Sequence, residues 1–567
     1  MTASRSATPR RAPRSVVRGA DIPRVAMTRV ARAAAAALLT LAAPAQLRAQ
    51  APASGGAAPA APTRPRTTYE DLQLLSGVLN QIRVNHPDSV DVHELLMAAI
   101  QGMVRAADPH SYFIPAMRLN AEKEKAWRDG KLYPVGLDFA YYDQSPVIVG
   151  VAPGSSAARA DLLIGDELIA IDGRPVAATS ASELDVTLAG ERNSTVSLTV
   201  ERERVDGSLV QLTRVVKRER LEDATAVPAA FLLDSASGTG YVRITTFASA
   251  RAADDLHDAL GRLEKGGMRR LVLDLRDNGG GSVKEAAQVA GEFLPKGAVV
   301  YTQAGRKKEV ADTGRVGRSF WSRERRYPIV LMINGGTASA SELVAGALQD
   351  HDRALVVGRP SFGKSLVMYP FALPDGSLFW MVAGHARTPC GRVIQRQYRG
   401  LTAHEYRRRA GADTAAGGGG RPACRTDNGR TVYGGGGIYP DLVLARPARA
   451  PLWLARLRED ALLYRWIAGH VSDAGPAAYP SLDALAARPV PAAGAVASFR
   501  AFAARQGAEL PAAAESDSLL AREIVGMVAE AKWGDAGRYR VAAVLDADVR
   551  AAAGAFDRAS TLLGGTP

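Results

Sequence analysis

Two residues able to perform acyl chemistry stand 25 positions apart, Ser339 and Lys364. Ser339 lies in Thr337-Ala-Ser-Ala-Ser-Glu-Leu-Val-Ala-Gly-Ala-Leu348, after the apolar run Ile329–Ile333 and the turn Asn334-Gly-Gly336. Strand, tight turn and buried apolar helix in that order put Ser339 and Ser341 at a helix N-terminus, where backbone N–H groups and the helix dipole favour negative charge. A hydroxyl there can attack a carbonyl while its own loop holds the oxyanion. The same letters spell a capping box, with Ser339 at the N-cap and Glu342 at N3. The segment alone leaves both readings open. None of the eight histidines falls in a Ser-His-Asp signature, and no G-x-S-x-G elbow surrounds Ser339. The base on offer is Lys364, in Gly358-Arg-Pro-Ser-Phe-Gly-Lys-Ser365. A strand–helix–strand excursion of that length returns the chain close to its start. Lysine is a base only when neutral, so its ordinary value of about 10.4 must fall to roughly 7–8 through burial. Phe362, Leu366 and Val367 supply apolar neighbours. Only 11 of the 71 basic residues are lysines, which makes a lysine inside a motif informative.

A second glycine loop lies upstream. Leu271-Val-Leu-Asp-Leu-Arg-Asp-Asn-Gly-Gly-Gly281 reads as a buried strand entering three glycines. It is either a plain turn or, beside a nucleophile, a loop whose Gly280 N–H joins that of Ala340 in an oxyanion hole. Gly358 to Ser365 also matches a phosphate-binding loop letter for letter. A helix must follow such a loop, yet Leu366-Val-Met-Tyr-Pro-Phe-Ala-Leu-Pro374 is β-prone and carries two prolines. The acidic strand also precedes the loop instead of following it. Nucleotide binding is set aside on these grounds.

The elements that must carry these residues alternate strand and helix over residues 238–385: Tyr241–Phe247, Ala252–Lys265, Leu271–Leu275, Val283–Phe293, Ile329–Ile333, Glu342–Leu348 and Ala354–Val357. This alternation predicts an α/β core. Residues 133–217 change to short β-rich runs around Pro153-Gly154 and Gly165-Asp-Glu-Leu-Ile-Ala-Ile-Asp-Gly173. Residues 68–128 have helical periodicity, broken by Asp108-Pro-His-Ser-Tyr112. Residues 398–430 are polar and glycine-rich and read as a flexible insertion. Residues 451–567 have helical spacing and no recognisable chemistry.

The chain is 567 residues long, a prior of about three to five domains. With 47% hydrophobic and 23% charged residues, most of it is globular. Two cysteines, Cys390 and Cys424, exclude a disulfide framework and a four-thiolate zinc site. The net charge of +13 does not imply nucleic acid, because residues 1–49 hold nine arginines and one acid. That segment has the order of a secretory leader: Arg29 and Arg32, an apolar run Ala33–Ala43, then Ala49-Gln-Ala51. An uncleaved N-terminal anchor is the alternative, and Met27 is a candidate start. Residues 51–66 read as a linker. An exported protein is expected, soluble and periplasmic or otherwise extracytoplasmic after cleavage, where a Cys390–Cys424 bridge can form.

Taken together, these residues resemble the carboxyl-terminal processing peptidases, also called tail-specific proteases. The resemblance covers about residues 70–445. It is carried by Asp108-Pro-His-Ser111, Gly165–Gly173, Gly240-Tyr-Val-Arg-Ile-Thr-Thr-Phe247, Asp274-Leu-Arg-Asp-Asn-Gly-Gly-Gly281, Thr337–Glu342, Ser361-Phe-Gly-Lys364, Thr388-Pro-Cys-Gly-Arg392 and Gly437-Ile-Tyr-Pro-Asp441. It implies an α/β, crotonase/ClpP-like protease core with an inserted mainly-β PDZ domain and flanking helical regions. The expected layout is a signal peptide 1–50, linker 51–66, N-terminal helical region 67–130, PDZ domain 131–220, peptidase core 221–397 and 431–447, insertion 398–430 and C-terminal helical region 448–567. The resemblance implies an exported Ser/Lys endopeptidase, with Ser339 as nucleophile, Lys364 as base and Glu342 in support. No metal or cofactor is implied. The partners are protein or peptide substrates held by their C-termini near Val135-Gly136-Leu137, by strand addition. Homo-oligomerisation and membrane proximity are compatible with it. Met368 stands where the family commonly has a glutamine that orients the lysine, Gly279 where proline is common, Pro134 where the carboxylate loop usually starts with glycine, and Cys390 where serine is usual. The alternative function is a catalytically silent PDZ peptide-binding protein on the same fold.

Overall fold

The computed structural model of the chain describes residues 67–564 except 116–122, 124, 125, 127–130, 143, 144, 153, 179, 180, 222–224, 306–309, 318–323, 413–419 and 513. The expected leader and linker lie outside the described residues. The chain divides into two units at Val78/Leu79. Helix α1 (Thr68–Asn85) crosses that division and buries none of its side chains. Helix α2 (Val92–Ala107) starts at Asp91, whose carboxylate accepts from the His93 and Glu94 N–H groups. Strand β1 (Tyr112–Ile114) follows the Asp108–Ser111 turn. Among the described residues, no helix is long and apolar enough to cross a membrane.

The next elements are β2 (Leu137–Tyr142), β3 (Ser145–Val151), α3 (Ser156–Arg159), β4 (Glu167–Ile171), β5 (Arg174–Pro175), α4 (Ala181–Leu188), β6 (Thr195–Glu203) and β7 (Leu209–Lys217). They form an antiparallel sheet in the order β2-β3-β4-β6-β7, with β5 beside β4. Strand β6 alternates buried and half-buried side chains, as a strand with one face on a core must. Its buried Val196, Leu198 and Val200 pack with Ile148, Leu168 and Leu184. Strand β2 is an edge of this sheet.

The α/β core contains β8 (Ala229–Asp234), β9 (Thr239–Arg243), α5 (Ala252–Lys265), β10 (Arg270–Asp274), α6 (Val283–Gly291), β11 (Val299–Ala304), β12 (Val310–Arg315), β13 (Ile329–Ile333), α7 (Ala340–Asp350), β14 (Leu355–Gly358), β15 (Leu366–Ala372), β16 (Leu378–Arg387), α8 (Ala403–Ala412), β17 (Ala423–Arg425), β18 (Thr431–Tyr433) and β19 (Leu442–Val443). The main sheet has the order β19-β14-β13-β10-β9-β8. Its strands pair in parallel except β8 with β9. Strands buried on both faces read as continuous apolar runs, as Ile329–Ile333 does. A second sheet runs β1-β16-β11-β12, with β15 also on β16.

The last helices are α9 (Leu452–Glu459), α10 (Leu462–Ala478), α11 (Leu482–Ala487), α12 (Ala495–Arg505), α13 (Ala514–Leu545), α14 (Ala547–Ala553) and α15 (Phe556–Gly564). They do two jobs. Helices α9 to α13 form a core around Trp466, Phe499 and Phe502 that takes in Ile164 from the β2–β7 domain. There Gly165 meets the backbone of α10 so closely that a Cβ would collide with the Tyr464 carbonyl, and its φ of +100° also excludes other residues. Val549, Ala552, Phe556 and Ala559 of α14 and α15 cover one face of the main sheet, against Val272, Val330 and Val357. The other face is covered by α5, α6 and α7 through Leu256, Val289 and Val344. The C-terminal segment thus supplies one layer of the three-layer core. Its alanine-rich composition concealed that role.

Candidate active site

Ser339 sits where β13 hands over to α7. All eleven residues of α7 are buried, so its start cannot drift. The Ser339 backbone has φ 59° and ψ −119°, a conformation costing of order 1–3 kcal/mol for a residue with a side chain. The Ser339 N–H donates to the Glu342 carboxylate (2.8 Å), the carboxylate half of a capping box. The Glu342 N–H donates to the Ser339 carbonyl (2.8 Å). Ser341 is committed elsewhere: its hydroxyl donates to the Asn278 carbonyl (2.9 Å).

Glu342 is fully buried and gathers the site around one carboxylate. Besides the Ser339 N–H, it accepts from the Gly363 N–H (2.7 Å), the Lys364 N–H (2.8 Å) and the Ser361 hydroxyl (2.5 Å). The Ser361 hydroxyl in turn accepts from the Ile438 N–H (2.6 Å). Burial pushes the Glu342 carboxyl up to about 7, against these four donors, which favour its charged form. The 25-residue excursion therefore does return: the backbones at 339 and 364 share one carboxylate.

Lys364 is half-buried. Burial lowers its amine below the ordinary lysine value, while Glu342 and Asp108 pull it back up. Among the described residues, no hydrogen bond joins the Ser339 hydroxyl to the Lys364 amine. The lysine loop is braced from its far side by the region whose composition read as a flexible insertion. Tyr406 of α8 is buried and donates its hydroxyl to the Gly363 carbonyl (2.6 Å). The Arg396 N–H donates to the same carbonyl (2.8 Å), and the Ser365 N–H donates to Gln395 (2.9 Å). A buried tyrosine with a hydroxyl partner outweighs the polar, glycine-rich neighbours that suggested a loop. After Ser365 comes β15, not a helix, so the segment lacks the anion-binding helix end of a phosphate loop. Met368 lies on β15 opposite Val382 of β16.

The Gly280 loop closes against Ser339. A Cβ on Gly280 would lie 2.7 Å from the Ala338 carbonyl oxygen and 2.9 Å from both the Ala340 nitrogen and the Ser339 Cβ, and its φ is +97°. Gly280 is thus required by contact as well as by conformation. Its N–H, expected to serve the oxyanion hole, donates to the Asn278 side-chain oxygen (2.9 Å). Asn278 is fully buried, its amide donating to the Ile244 carbonyl (3.0 Å), so its oxygen is fixed in reach of that N–H. The Ala340 N–H, by contrast, has no acceptor among the described residues. It is the first residue of α7, whose N–H no helix can satisfy. The strand below is anchored by Asp274. Burial opposes its ionisation, but Arg276 (2.7 Å) and Arg243 (3.0 Å) outweigh that and hold its carboxyl below the ordinary range. Arg276 continues to Asp546 (2.8 Å), just before α14, and Asp548 of α14 also holds Arg359 at the end of β14 (2.6 Å).

In the β2–β7 domain, Val135 and Leu137 are buried, and Gly136 has φ +84° with Ser155 packed where a Cβ would stand. Helix α4 lies beside edge strand β2. Cys390 and Cys424 are bridged, with Cα atoms 6.1 Å apart. The bridge ties β17 to the turn that holds Arg392, whose guanidinium pairs with Asp350 at the end of α7 (2.6 Å). Sequence reasoning gave no role to His110, Asn278, Ser361, Asp546 or Asp548. The motifs around the first three were visible, but their roles depend on contacts between residues distant in the chain.

Comparison with known proteins identifies two families in the chain. Residues 238–406 match peptidase family S41, and residues 147–202 match a PDZ domain. A carboxy-terminal-processing protease of Bartonella bacilliformis is 30% identical over 338 residues, which cover 58% of this chain and 74% of that protein. The carboxyl-terminal-processing protease of Picosynechococcus sp. is 35% identical over 47% of this chain and 62% of its own length. The carboxy-terminal processing protease CtpB of Bacillus subtilis is 30% identical over 55% and 62%. The chain therefore spans less than two thirds of the latter two relatives. Among solved structures, the photosystem II D1 C-terminal processing protease is 25% identical, covering 65% of this chain and 86% of that one, with a TM-score of 0.33.

Proposed function

Because the chain belongs to the carboxyl-terminal processing peptidases of family S41, we propose that it is an exported serine endopeptidase that cleaves protein substrates near their C-terminus with a Ser339/Lys364 dyad. The observation that carries this reading is the Glu342 carboxylate, which accepts from the backbone N–H groups of both Ser339 and Lys364. In the reaction, neutral Lys364 takes the Ser339 proton as Oγ attacks the scissile carbonyl. It returns that proton to the leaving amine, and water then hydrolyses the ester by the reverse transfers. The Ala340 N–H holds the oxyanion, and Gly280 joins it once its amide leaves Asn278. The substrate tail adds to edge strand β2, with its carboxylate at the Val135-Gly136-Leu137 backbone. The leader expected at 1–50 supports export to the periplasm, and the domain limits follow the sequence layout given above.

The unjoined dyad and the engaged Gly280 amide favour a second reading, a silent peptide-binding protein. Cleavage of casein and of an unstructured tailed peptide by wild type, Ser339→Ala and Lys364→Ala separates the two. Turnover in wild type alone supports the peptidase. Equal turnover in all three removes the dyad. Saturable tail binding with no turnover in any of them assigns the silent protein.

A further inference from the structure

His110 lies close enough to Lys364 to feel its charge, and the dyad leaves its chemistry unused. Its Nε2 is buried and has no hydrogen-bond partner among the described residues. A buried polar atom without a partner is uncommon enough to require a reason. The ring is held firmly. Asp108 accepts from the His110 N–H (2.7 Å), the Ser111 N–H (2.6 Å) and the Ser111 hydroxyl (2.6 Å), which fixes the turn. The Ser111 hydroxyl also accepts from the Val382 N–H (3.1 Å) of β16, and β1 pairs with that strand beyond it. The ring stands edge-on to Tyr406 (4.7 Å) and Tyr398 (5.7 Å). Tyr406 is the residue bonded to the Gly363 carbonyl, one position before Lys364.

We propose that His110 is a positioning residue for the dyad: when the Lys364 amine turns towards it, its unpaired Nε2 accepts a hydrogen bond from that amine and aims the nitrogen lone pair at the Ser339 hydroxyl. The inference rests on the dyad reading. An amine has one lone pair and several rotamers, so a base held only by its stem spends most of its time misdirected. Met368, next along β15, offers only a weak sulfur acceptor. The imidazole suits the task because it is neutral: burial first, and the Lys364 charge second, push His110 down to about 4, against the pull of Asp108. The tautomer with its proton on Nδ1 leaves the Nε2 lone pair for the amine. The ionisable groups facing this pair are Asp108 on its own turn, Glu342 on α7, Tyr398 and Arg396 before α8, and Tyr406 on it. His110 exchanges no proton. The Ser339 Oγ–H bond breaks to Lys364 Nζ, and His110 accepts from that nitrogen before and after.

The test is steady-state cleavage of the tailed peptide by the full chain across pH, in wild type, His110→Phe and His110→Gln. Phenylalanine keeps the ring packing and removes the acceptor. Glutamine returns an acceptor near the Nε2 position. His110→Phe is expected to lower kcat about 30-fold with KM within about twofold. Its acid limb moves to lower pH, because an acceptor that stabilised the ammonium is gone. His110→Gln recovers kcat to within about fivefold of wild type. The proposal is overturned if His110→Phe turns over at the wild-type rate. It is also overturned if both variants fall equally, or if the acid limb moves to higher pH, the sign of water entering a disturbed pocket. Thermal melting of each variant identifies a folding failure, in which case the glutamine variant decides. Activity surviving in Ser339→Ala or Lys364→Ala would instead remove the dyad itself.

Discussion

The loop that brings Lys364 and the loop that brings Gly280 converge on the same serine, but they are anchored to different parts of the molecule. The lysine loop hangs from Glu342, a residue of the nucleophile's own helix, and is braced behind by Tyr406 and Arg396. It is therefore bound to follow Ser339. The glycine loop hangs from β10 and reaches outward through Arg276 to Asp546, 270 positions further along the chain. Its position is set from the C-terminal helices. On the dyad reading proposed above, the difference separates two tasks: base and nucleophile keep a fixed relation, while the oxyanion side is adjusted from elsewhere.

The most severe break of this comparison is on the glycine side. Gly280→Ala places a methyl against Ala338 and Ala340 at a positive φ. It is expected to lower kcat by about 1,000-fold, as loss of oxyanion stabilisation does, while the Lys364-dependent pH limb stays in place. On the lysine side, Glu342→Ala leaves three N–H groups and a hydroxyl without their acceptor. At roughly 1–3 kcal/mol for each unsatisfied group, several kcal/mol of stability should go, with about 100-fold in kcat; a denaturant titration and a rate measurement check both. Serine at both Cys390 and Cys424 opens the 34-residue loop that carries Tyr406. About 3 kcal/mol of stability should be lost, and kcat should fall about tenfold through the lysine loop. Asp546→Asn, partly exposed, should cost about 1 kcal/mol or less and lower kcat about threefold with no change in the pH limb.

Acidity distinguishes the two sides in a second way. The folded-state value of Glu342, about 7, lies above its ordinary 4.5. The stability it contributes is present below pH 4.5 and lost as pH rises through 7. The folded-state value of His110, about 4, lies below its ordinary 6.5. Its contribution is present above pH 6.5 and lost as pH falls through 4. Stability curves of Glu342→Gln and His110→Phe should each lack one of these opposing slopes.

What could be read from the sequence was local. The strand Ile329–Ile333 and the helix Ala252–Lys265 have the predicted limits, because apolar runs and 3.6-residue periodicity are written in adjacent residues. The peptidase and PDZ resemblance is matched by the family comparisons, being carried by short motifs in a fixed order. Residues 451–567 offered only helical spacing, and nothing adjacent to Asp546 announces an arginine from the loop after β10. Likewise Tyr406 sits among glycines and arginines, and its burial follows from a partner 43 positions away. The commitment of the Gly280 amide to Asn278 depends on a side-chain rotamer, which no spacing encodes.

The left-handed backbone at Ser339 has a consequence for how such a molecule responds to selection. A glycine in that place relieves the conformational penalty, so Ser339→Gly should melt above wild type while hydrolysing nothing. A library ranked by heat resistance alone would enrich it. On the dyad reading, the requirement that keeps serine there comes from the reaction and not from the fold.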